Sequence, residues 1–493
     1  MIYDDFPALI VVLPLFAAFT VPIIGYFSKK SVPYFVSLVT FIAFLISIFN
    51  LQTVMSSGTI SYTMGGWEPP WGIEYRIDYL NAFVSIVVIF IIFIVSIYSR
   101  KSIENELPGK TVPFFIIFLL LTAGLQGLIV TGDIFNVYVF LEISSLAAYA
   151  LIAVGSNRNA LMASLNYLII GTVSASFILL GIGYLYMVTG TLNMADMANI
   201  LPAAFDERPK VVLAAFAFFL VGFSIKVGLF PLHTWMPDAY SQAPSAVSAL
   251  LASTFTKVAA YVMVRFMITI FKPDFIISTV NANIILAWLA AIAIIAGSVL
   301  AIAQTDFKRM LAYSSVSQIG YIILGIALLN QMAMTGGIIH IMNHGIMKAA
   351  LFMVAGAIIY KTGIRNINDF KGLGKTMPYT SAAFTLVALS MIGVPPTVGF
   401  VSKWYLALGA IEANMWVFVG MIMLSSLLNI VYFWRVFENM YFYRAEGGKV
   451  DEVPLSMLLP ILILAALTFL LGLLALYPLK EIMAPMVQIL LPG

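Results

Sequence analysis

Apolar residues in this chain fall in blocks of about 20, the length of helix that crosses roughly 30 Å of hydrocarbon. The blocks recur from end to end, at roughly 7–27, 34–51, 79–98, 113–131, 134–154, 161–189, 211–232, 245–271, 284–304, 310–329, 332–360, 380–410, 415–443 and 455–477. They are continuously apolar, whereas the strands of a membrane β-barrel are short and alternating. The pattern predicts an all-α polytopic membrane protein with about fourteen transmembrane helices. No linker or low-complexity tract divides the chain, so 1–493 reads as a single membrane domain. The longest piece between blocks, about 52–78, carries Gly, Pro and Trp and is expected to form an ordered outer cap.

Two blocks are interrupted. One contains Lys226-Val-Gly-Leu-Phe-Pro231-Leu-His-Thr-Trp-Met-Pro237, the other Gly393-Val-Pro-Pro396-Thr-Val-Gly399-Phe-Val-Ser-Lys403. Proline lacks an amide donor and clashes with the preceding turn. Each run is therefore expected to unwind at membrane depth, which is tolerated only against protein or a water-lined cavity. Paired interruptions in corresponding halves of a chain are a mark of inverted-repeat transporters.

Composition makes each charge inside a block informative. Hydrophobic residues are 62% of the chain and charged residues 10%, against roughly 25% charged in a soluble domain. A charge at the bilayer centre costs about 2.5–3.5 kcal/mol on insertion scales, so such residues usually turn inward and mark routes for ions or protons. Seven stand out within blocks: Glu142, Lys226, Lys257, Arg265, Lys348, Lys403 and Arg435, with Glu438 nearer the end of its own. Lysine can give up its proton in an apolar setting and arginine cannot. The lysines are thus candidate proton carriers. Arg265 and Arg435 read as permanent counter-charges or headgroup anchors, with Glu438 a ready local partner for Arg435.

His340, His344 and Lys348 follow at four-residue spacing and share one helix face. Histidine, with a reference pKa of about 6.5, can pass protons near neutral pH. Structural hydrogen bonding and a metal or haem remain alternatives. Against a zinc site stands the missing glutamate of H-E-x-x-H. Against a bis-histidine haem, ligands from one helix face cannot reach both sides of the ring. His233, in the first interruption, suits either a relay or a cap on freed carbonyls.

Charge outside the blocks sets an orientation. With fourteen spans, fourteen lysines and arginines fall in odd-numbered loops, among them Lys308, Arg309 and Arg365, and five in even-numbered ones. The positive-inside rule then puts the odd loops in the cytoplasm and both termini outside. The start of the chain holds Asp4 and Asp5 without a basic residue, so the first helix is expected to be retained rather than cleaved. The absence of cysteine removes iron–sulfur ligation, c-type haem attachment and disulfides. A net charge of +3 gives no sign of nucleic-acid binding.

These residues resemble the antiporter-like subunits shared by respiratory complex I, Mrp-type Na⁺/H⁺ antiporters (their D-like subunits) and membrane-bound hydrogenase-type complexes. The resemblance rests on Glu142-Ile-Ser-Ser-Leu, on Lys226-Val-Gly-Leu-Phe-Pro-Leu-His-Thr-Trp-Met-Pro-Asp-Ala-Tyr-Ser-Gln-Ala-Pro244 and on Thr256-Lys257. It continues through Asp306-Phe-Lys-Arg-Met-Leu-Ala-Tyr-Ser-Ser315, through His340, His344 and Lys348, and from Gly393 to Lys403. It implies two inverted five-helix repeats, about 113–275 and 284–443, each forming half a channel. It also implies a proton pathway through Glu142, Lys226, Lys257, His340, His344, Lys348 and Lys403, with His233, Asp238 and Arg265 as accessory candidates.

In the family, the residue matching Lys403 is lysine or glutamate, so this lysine argues against the complex I type that uses glutamate. Gly345 after His344 leans away from the Mrp members, and the chain ends without the lateral helix of the largest members. The implied protein is a proton-translocating subunit with no covalent chemistry and no cofactor of its own. It would sit in a prokaryotic plasma membrane among other membrane subunits of its complex, moving protons and, in some members, Na⁺. The rival readings are a free-standing cation/proton carrier and a quinone- or haem-bearing redox subunit.

Overall fold

The computed structural model describes residues 5–155, 157–444, 451–474, 484–488 and 490–491. Asp4, Lys449, Lys480 and the last part of the final apolar block lie outside the described residues. Among the described residues, thirteen helices are long and apolar enough to cross a membrane. In chain order these and their connections are α1 (Phe6–Phe27), α2 (Val32–Ser57), strands β1 (Ile60–Thr63) and β2 (Glu74–Ile77), α3 (Tyr79–Glu106), α4 (Thr111–Val130), α5 (Ile134–Ala153) and α6 (Arg158–Thr189). There follow α7 (Met194–Glu207), α8 (Pro209–Val227), the short α9 (Trp235–Gln242), α10 (Ser245–Ile270), α11 (Ala282–Ile302), α12 (Phe307–Ala327) and α13 (Gln331–Thr362). The broken helix α14 (Pro378–Ile392) and α15 (Val398–Glu412) supplies the fourteenth expected block, before α16 (Trp416–Phe442) and α17 (Leu455–Leu474). The protein is a multi-pass, all-α membrane protein.

Helix ends are set by the residues that can satisfy free backbone groups, an obligation that is strict in hydrocarbon. Asp78, Asp133, Asn193, Asp306 and Asn330 each accept an amide from the first turn of the helix they cap. Both interruptions begin alike. α8 stops at left-handed Gly228, whose amide reaches the carbonyls of Ser224 and Ile225. α14 stops at left-handed Gly393, whose amide reaches those of Leu389 and Ser390. Glycine takes this backbone shape without a Cβ penalty.

The loops before α5 and α12 are also built by matching bonds. Ile134 N donates to Leu192 O and Met194 N to Gly132 O; Phe307 N donates to Arg365 O and Ile367 N to Thr305 O, all at 2.9 Å. The members of the second set stand at one constant sequence offset from the first.

The helices that carry Lys257 and the His340–Lys348 series form the centre of the bundle. The apolar windows of α10 and α13 are 100% buried, against 44% for α1 and α2. The 52–78 segment is ordered: β1 pairs antiparallel with β2. Gly132 N bonds to Glu74 O at 2.8 Å, tying the hairpin to the α4–α5 loop.

Gly399 sits where the chain resumes at the second break, and a Cβ there would stand 1.8 Å from the carbonyl oxygen of Ser390. Gly399→Ala is therefore expected to open the break and lower the thermal stability of the assembled protein, whereas Gly420→Ala, with nothing within 4 Å, leaves it unchanged. Thermal unfolding of the two purified variants checks this; equal melting temperatures would show that the break does not depend on this close approach.

Candidate functional site

Lys226 lies in the last turn of α8, beside the first break, and is 1% exposed. Its Nζ donates to Ser145 Oγ at 2.8 Å and stands 3.8 Å from Glu142 Oε1. Glu142 and Ser145 are three residues apart on α5 and thus share a face. Oε1 has no hydrogen bond of its own, so Ser145 takes the direct contact while the charges attract across the longer gap. The Glu142 side chain is 24% exposed, placing this end of the pair at the bundle surface. A cavity of about 10 Å³ separates Lys226 from Phe255, Ala259 and Val262 of α10.

Lys257 follows a wide helical turn, Leu251–Phe255, in which the regular bonding pattern is loosened. Its ammonium reaches back to the Ala252 carbonyl in that turn and to Thr256 Oγ1 at 3.3 Å. α13 packs against the same turn: a Cβ at Gly345 would lie 3.1 Å from Ser253 O, so a larger residue after His344 would hold the helices apart. From α13, Lys348 Nζ donates to Leu311 O at 2.8 Å and Ser314 Oγ at 2.6 Å, both on α12. Among the described residues, Lys257 and Lys348 thus have neutral oxygen partners and no carboxylate.

His340 and His344 stack with ring centroids 6.1 Å apart. His340 Nδ1 contacts Ser402 Oγ at 2.9 Å, and Asn343 Nδ2 donates to the same oxygen at 3.1 Å. His340 Nε2 and both ring nitrogens of His344 are buried without a protein partner. Ser402 adjoins Lys403, whose Nζ donates to Met391 O at 3.0 Å, Ile392 O at 2.9 Å and Ser426 Oγ at 3.1 Å. Met391 and Ile392 end α14, so this ammonium caps the negative end of a broken helix. It also lies 5.0 Å from the centroid of the Tyr321 ring, which is 5.4 Å from His340.

The remaining charged candidates have local partners. Arg265 pairs with Asp78 near the C-terminal end of α10. Burial works against the Asp78 carboxylate, but the Arg265 charge and hydrogen bond and the amides of Asn81 and Leu80 outweigh it and hold the carboxyl below its usual range. Asp238 pairs with Arg309 at 2.9 Å, at a half-exposed position. His233 stacks on Phe230 and lies edge-on to Tyr313, and its Nδ1 has no hydrogen-bond partner among the described residues.

Two expectations need correction. Arg435 does not pair with Glu438; its Nη1 donates to Ile302 O at 2.6 Å and Gln304 O at 3.3 Å, while Glu438 accepts from Tyr443. Lys308 is not a loop residue. It lies in the first turn of α12, is 3% exposed, and donates at 2.6 Å to Ala243 O at the α9–α10 junction, a carbonyl that also accepts from Ser248 Oγ at 3.3 Å. Sequence reasoning also passed over Ser145, Ser314, Ser402, Asn343 and Tyr321. Ser145, one turn from Glu142, Ser402, beside Lys403, and Asn343, beside His344, carried that much of a signal; Ser314 and Tyr321 carried none.

The bundle is matched by known proteins along its whole length. Residues 131–429 fit the family described as NADH:quinone oxidoreductase/Mrp antiporter, TM. The N subunit of the NADH-quinone oxidoreductase of Desulforudis audaxviator is 44% identical, across 99% of this chain and 98% of that protein. The D subunit of the Na(+)/H(+) antiporter of Alkalihalophilus pseudofirmus is 33% identical, across 87% and 86%. Among solved structures, a chain of the membrane-bound sulfane sulfur reductase, an archaeal respiratory membrane complex, aligns at TM-score 0.91 and 32% identity over 98% of this chain and 97% of that one. A chain of the Mrp complex from Dietzia sp. DQ12-45-1b shares the fold at TM-score 0.88 and 24% identity, over 99% and 98%. By its matched core and its full-length relatives, the chain belongs to the NADH:quinone oxidoreductase/Mrp antiporter membrane family.

Proposed function

We propose that the chain is the proton-translocating subunit of a multisubunit, redox-driven membrane complex, and that protons cross it along Lys226, Lys257, Lys348, His344, His340 and Lys403. One observation carries the pathway. Four buried lysines and two buried histidines follow one another across the central helices, held by hydroxyls and carbonyls and, Glu142 aside, by no carboxylate. A permanent structural cation in this setting calls for a counter-charge, because a buried unpaired charge is costly. Groups that exchange protons do not need one in every state. The unpaired nitrogens of His344 and His340 suit a hydrogen-bonded water chain, since an unmet buried polar group costs about 1–3 kcal/mol.

The duplicated bonds before α5 and α12, and the like caps at Gly228 and Gly393, support two repeats, about 113–275 and 284–443. If both termini lie outside, as the loop charges favour, the matching junctions lie on opposite sides of a prokaryotic plasma membrane and the repeats are inverted. The relatives named above are subunits of larger assemblies, which favours membrane-subunit partners over a free-standing carrier. Higher identity to the oxidoreductase's N subunit than to the antiporter's D subunit favours redox drive over a sodium gradient.

Three outcomes are expected in the assembled complex. Lys226→Ala should cut coupled translocation by about tenfold or more, equivalent to about 1.4 kcal/mol or more on the barrier, while assembly is kept. Proton uptake by inverted vesicles measures it, and wild-type pumping by the variant would sink the pathway. Glu142→Gln and Lys226→Ala should be non-additive, with a coupling of about 1 kcal/mol or more in a double-mutant cycle; strict additivity would dissolve the pair. Lys403→Arg should assemble normally and pump poorly, because arginine can bond the Met391 and Ile392 carbonyls but keeps its proton. Normal turnover in that variant would make Lys403 a structural cap.

A further inference from the structure

We infer that the first half of the bundle has an outward branch of its own: a polar strip from Lys257 past Gln126 and Tyr261 to a large vestibule, shut by the Asp78–Arg265 ion pair. The inference rests on the proposed role of Lys257 as a proton carrier. Lys257, Tyr261 and Arg265 are spaced by four residues on α10, so they share a face and climb about 6 Å per step toward the helix end. The Tyr261 hydroxyl donates to Ile129 O at 2.9 Å and accepts from Arg265 Nε at 3.0 Å. Arg265 Nη2 donates in turn to Asp78 Oδ1.

The facing helices continue the strip inward. On α3, Asp78, Asn81 and Ser85 follow at helical spacing, and Ser85 Oγ donates to Gln126 Oε1 at 2.7 Å. Gln126 lies on α4 one turn deeper than Ile129, whose carbonyl holds Tyr261. It is 0% exposed and its amide nitrogen has no partner. Polar groups therefore recur at each turn: the ion pair, then Tyr261, then Ser85 with Gln126, then Lys257.

At the other end, a cavity of about 660 Å³ is lined by Asp78, Arg265, Tyr261, Thr269, Glu74 and Lys272. The ion pair and the Tyr261 bonded to it together line its inner end, leaving the Ser85–Gln126 level between that closure and the lysine. The wide turn Arg265–Ile270 begins at the gating arginine. Such turns are frequent at functional sites. A pin between α3 and α10 needs the ion pair alone. It gives no use for a fully buried amide donor without a partner, a rare feature in folded proteins.

In this branch Lys257 gives up one proton and becomes neutral, and one proton emerges in the vestibule. Tyr261 passes its hydroxyl proton on as it receives another. Arg265 keeps its charge throughout and acts by position. With the pair closed, the proton on Lys257 can move only toward Lys348. With it open, the first repeat releases protons outward.

The chain has no cysteine of its own, so single cysteines report cleanly on this subunit in the intact complex. The probe is a charged, membrane-impermeant methanethiosulfonate added to sealed vesicles of each orientation, with passive proton leak measured alongside. Thr269→Cys should label from the outer side alone; labelling from the cytoplasmic side would overturn the outward course of the branch. Gln126→Cys should label slowly in the otherwise unchanged chain. Adding Asp78→Asn should speed its labelling from that same side by about tenfold or more, a change of about 1.4 kcal/mol in accessibility, and raise the leak. The charge swap Asp78→Arg with Arg265→Asp should restore both. Arg265→Lys, which keeps the charges and loses the fork contacts with Tyr261, is the second variant should Asp78→Asn not assemble, and it should give intermediate labelling and leak.

Protection of Gln126→Cys in every assembled background, or labelling without a rise in leak, would overturn the branch. So would failure of Thr269→Cys to label from either side. Neither readout uses coupled turnover, so its failure is distinct from a failure of the Lys226 pathway.

Discussion

An ammonium inside a bilayer must find its acceptors within the protein, and this bundle meets that demand mainly with backbone carbonyls. Lys257 bonds to Ala252, Lys348 to Leu311, Lys403 to Met391 and Ile392, and Lys308 to Ala243. Regular helix leaves few carbonyls with capacity to spare, so irregular backbone sits where Lys257, Lys403 and Lys308 need it, whereas the Leu311 carbonyl that holds Lys348 lies within regular α12. The wide turn before Lys257, the end of α14 at Gly393 and the α9–α10 junction each present such a carbonyl. Helix breaks that would be defects elsewhere become the ligands of buried cations here. Lys226 departs from the rule: beside its break it takes a hydroxyl and, at longer range, the one carboxylate in the series.

That choice of acceptor links the fold to transport. A carboxylate would fix each lysine as a permanent ion pair, and moving a proton would then mean separating charges in a medium of low dielectric constant. Carbonyls and hydroxyls hold the ammonium by directed bonds while leaving the neutral amine tolerable. Only the Lys226 end carries a full counter-charge, so proton affinity differs along the series. Serine and asparagine set the side-chain positions: Ser402 bridges His340 and Asn343 one residue before Lys403, and Ser314 fixes Lys348.

Much of this was legible in the sequence. The apolar blocks and the glycine–proline interruptions announce themselves, because helix length and the missing proline amide are local properties. The seven charges stood out against an apolar background for the same reason. Partners were harder to read. Glu438 lies one turn from Arg435 in sequence, yet the guanidinium turns to the carbonyls of Ile302 and Gln304 on a neighbouring helix. Lys308 read as a loop cation because nothing in Asp306-Phe-Lys-Arg shows that its side chain turns beneath Ala243. Gln126 and Asn343 carry no charge and break no helix. Their importance comes entirely from the helices packed against them.

The central claim is that the gap from Lys257 through His344 to His340 conducts protons through water and side chains rather than serving as dry packing. A density map of the intact complex, fine enough to place ordered waters, tests it most directly. The account predicts waters within hydrogen-bonding distance of both ring nitrogens of His344 and of His340 Nε2, continuous with the Lys257 and Lys348 ammonium groups. Side-chain carbon packed against those nitrogens, with no polar atom in reach, would contradict it.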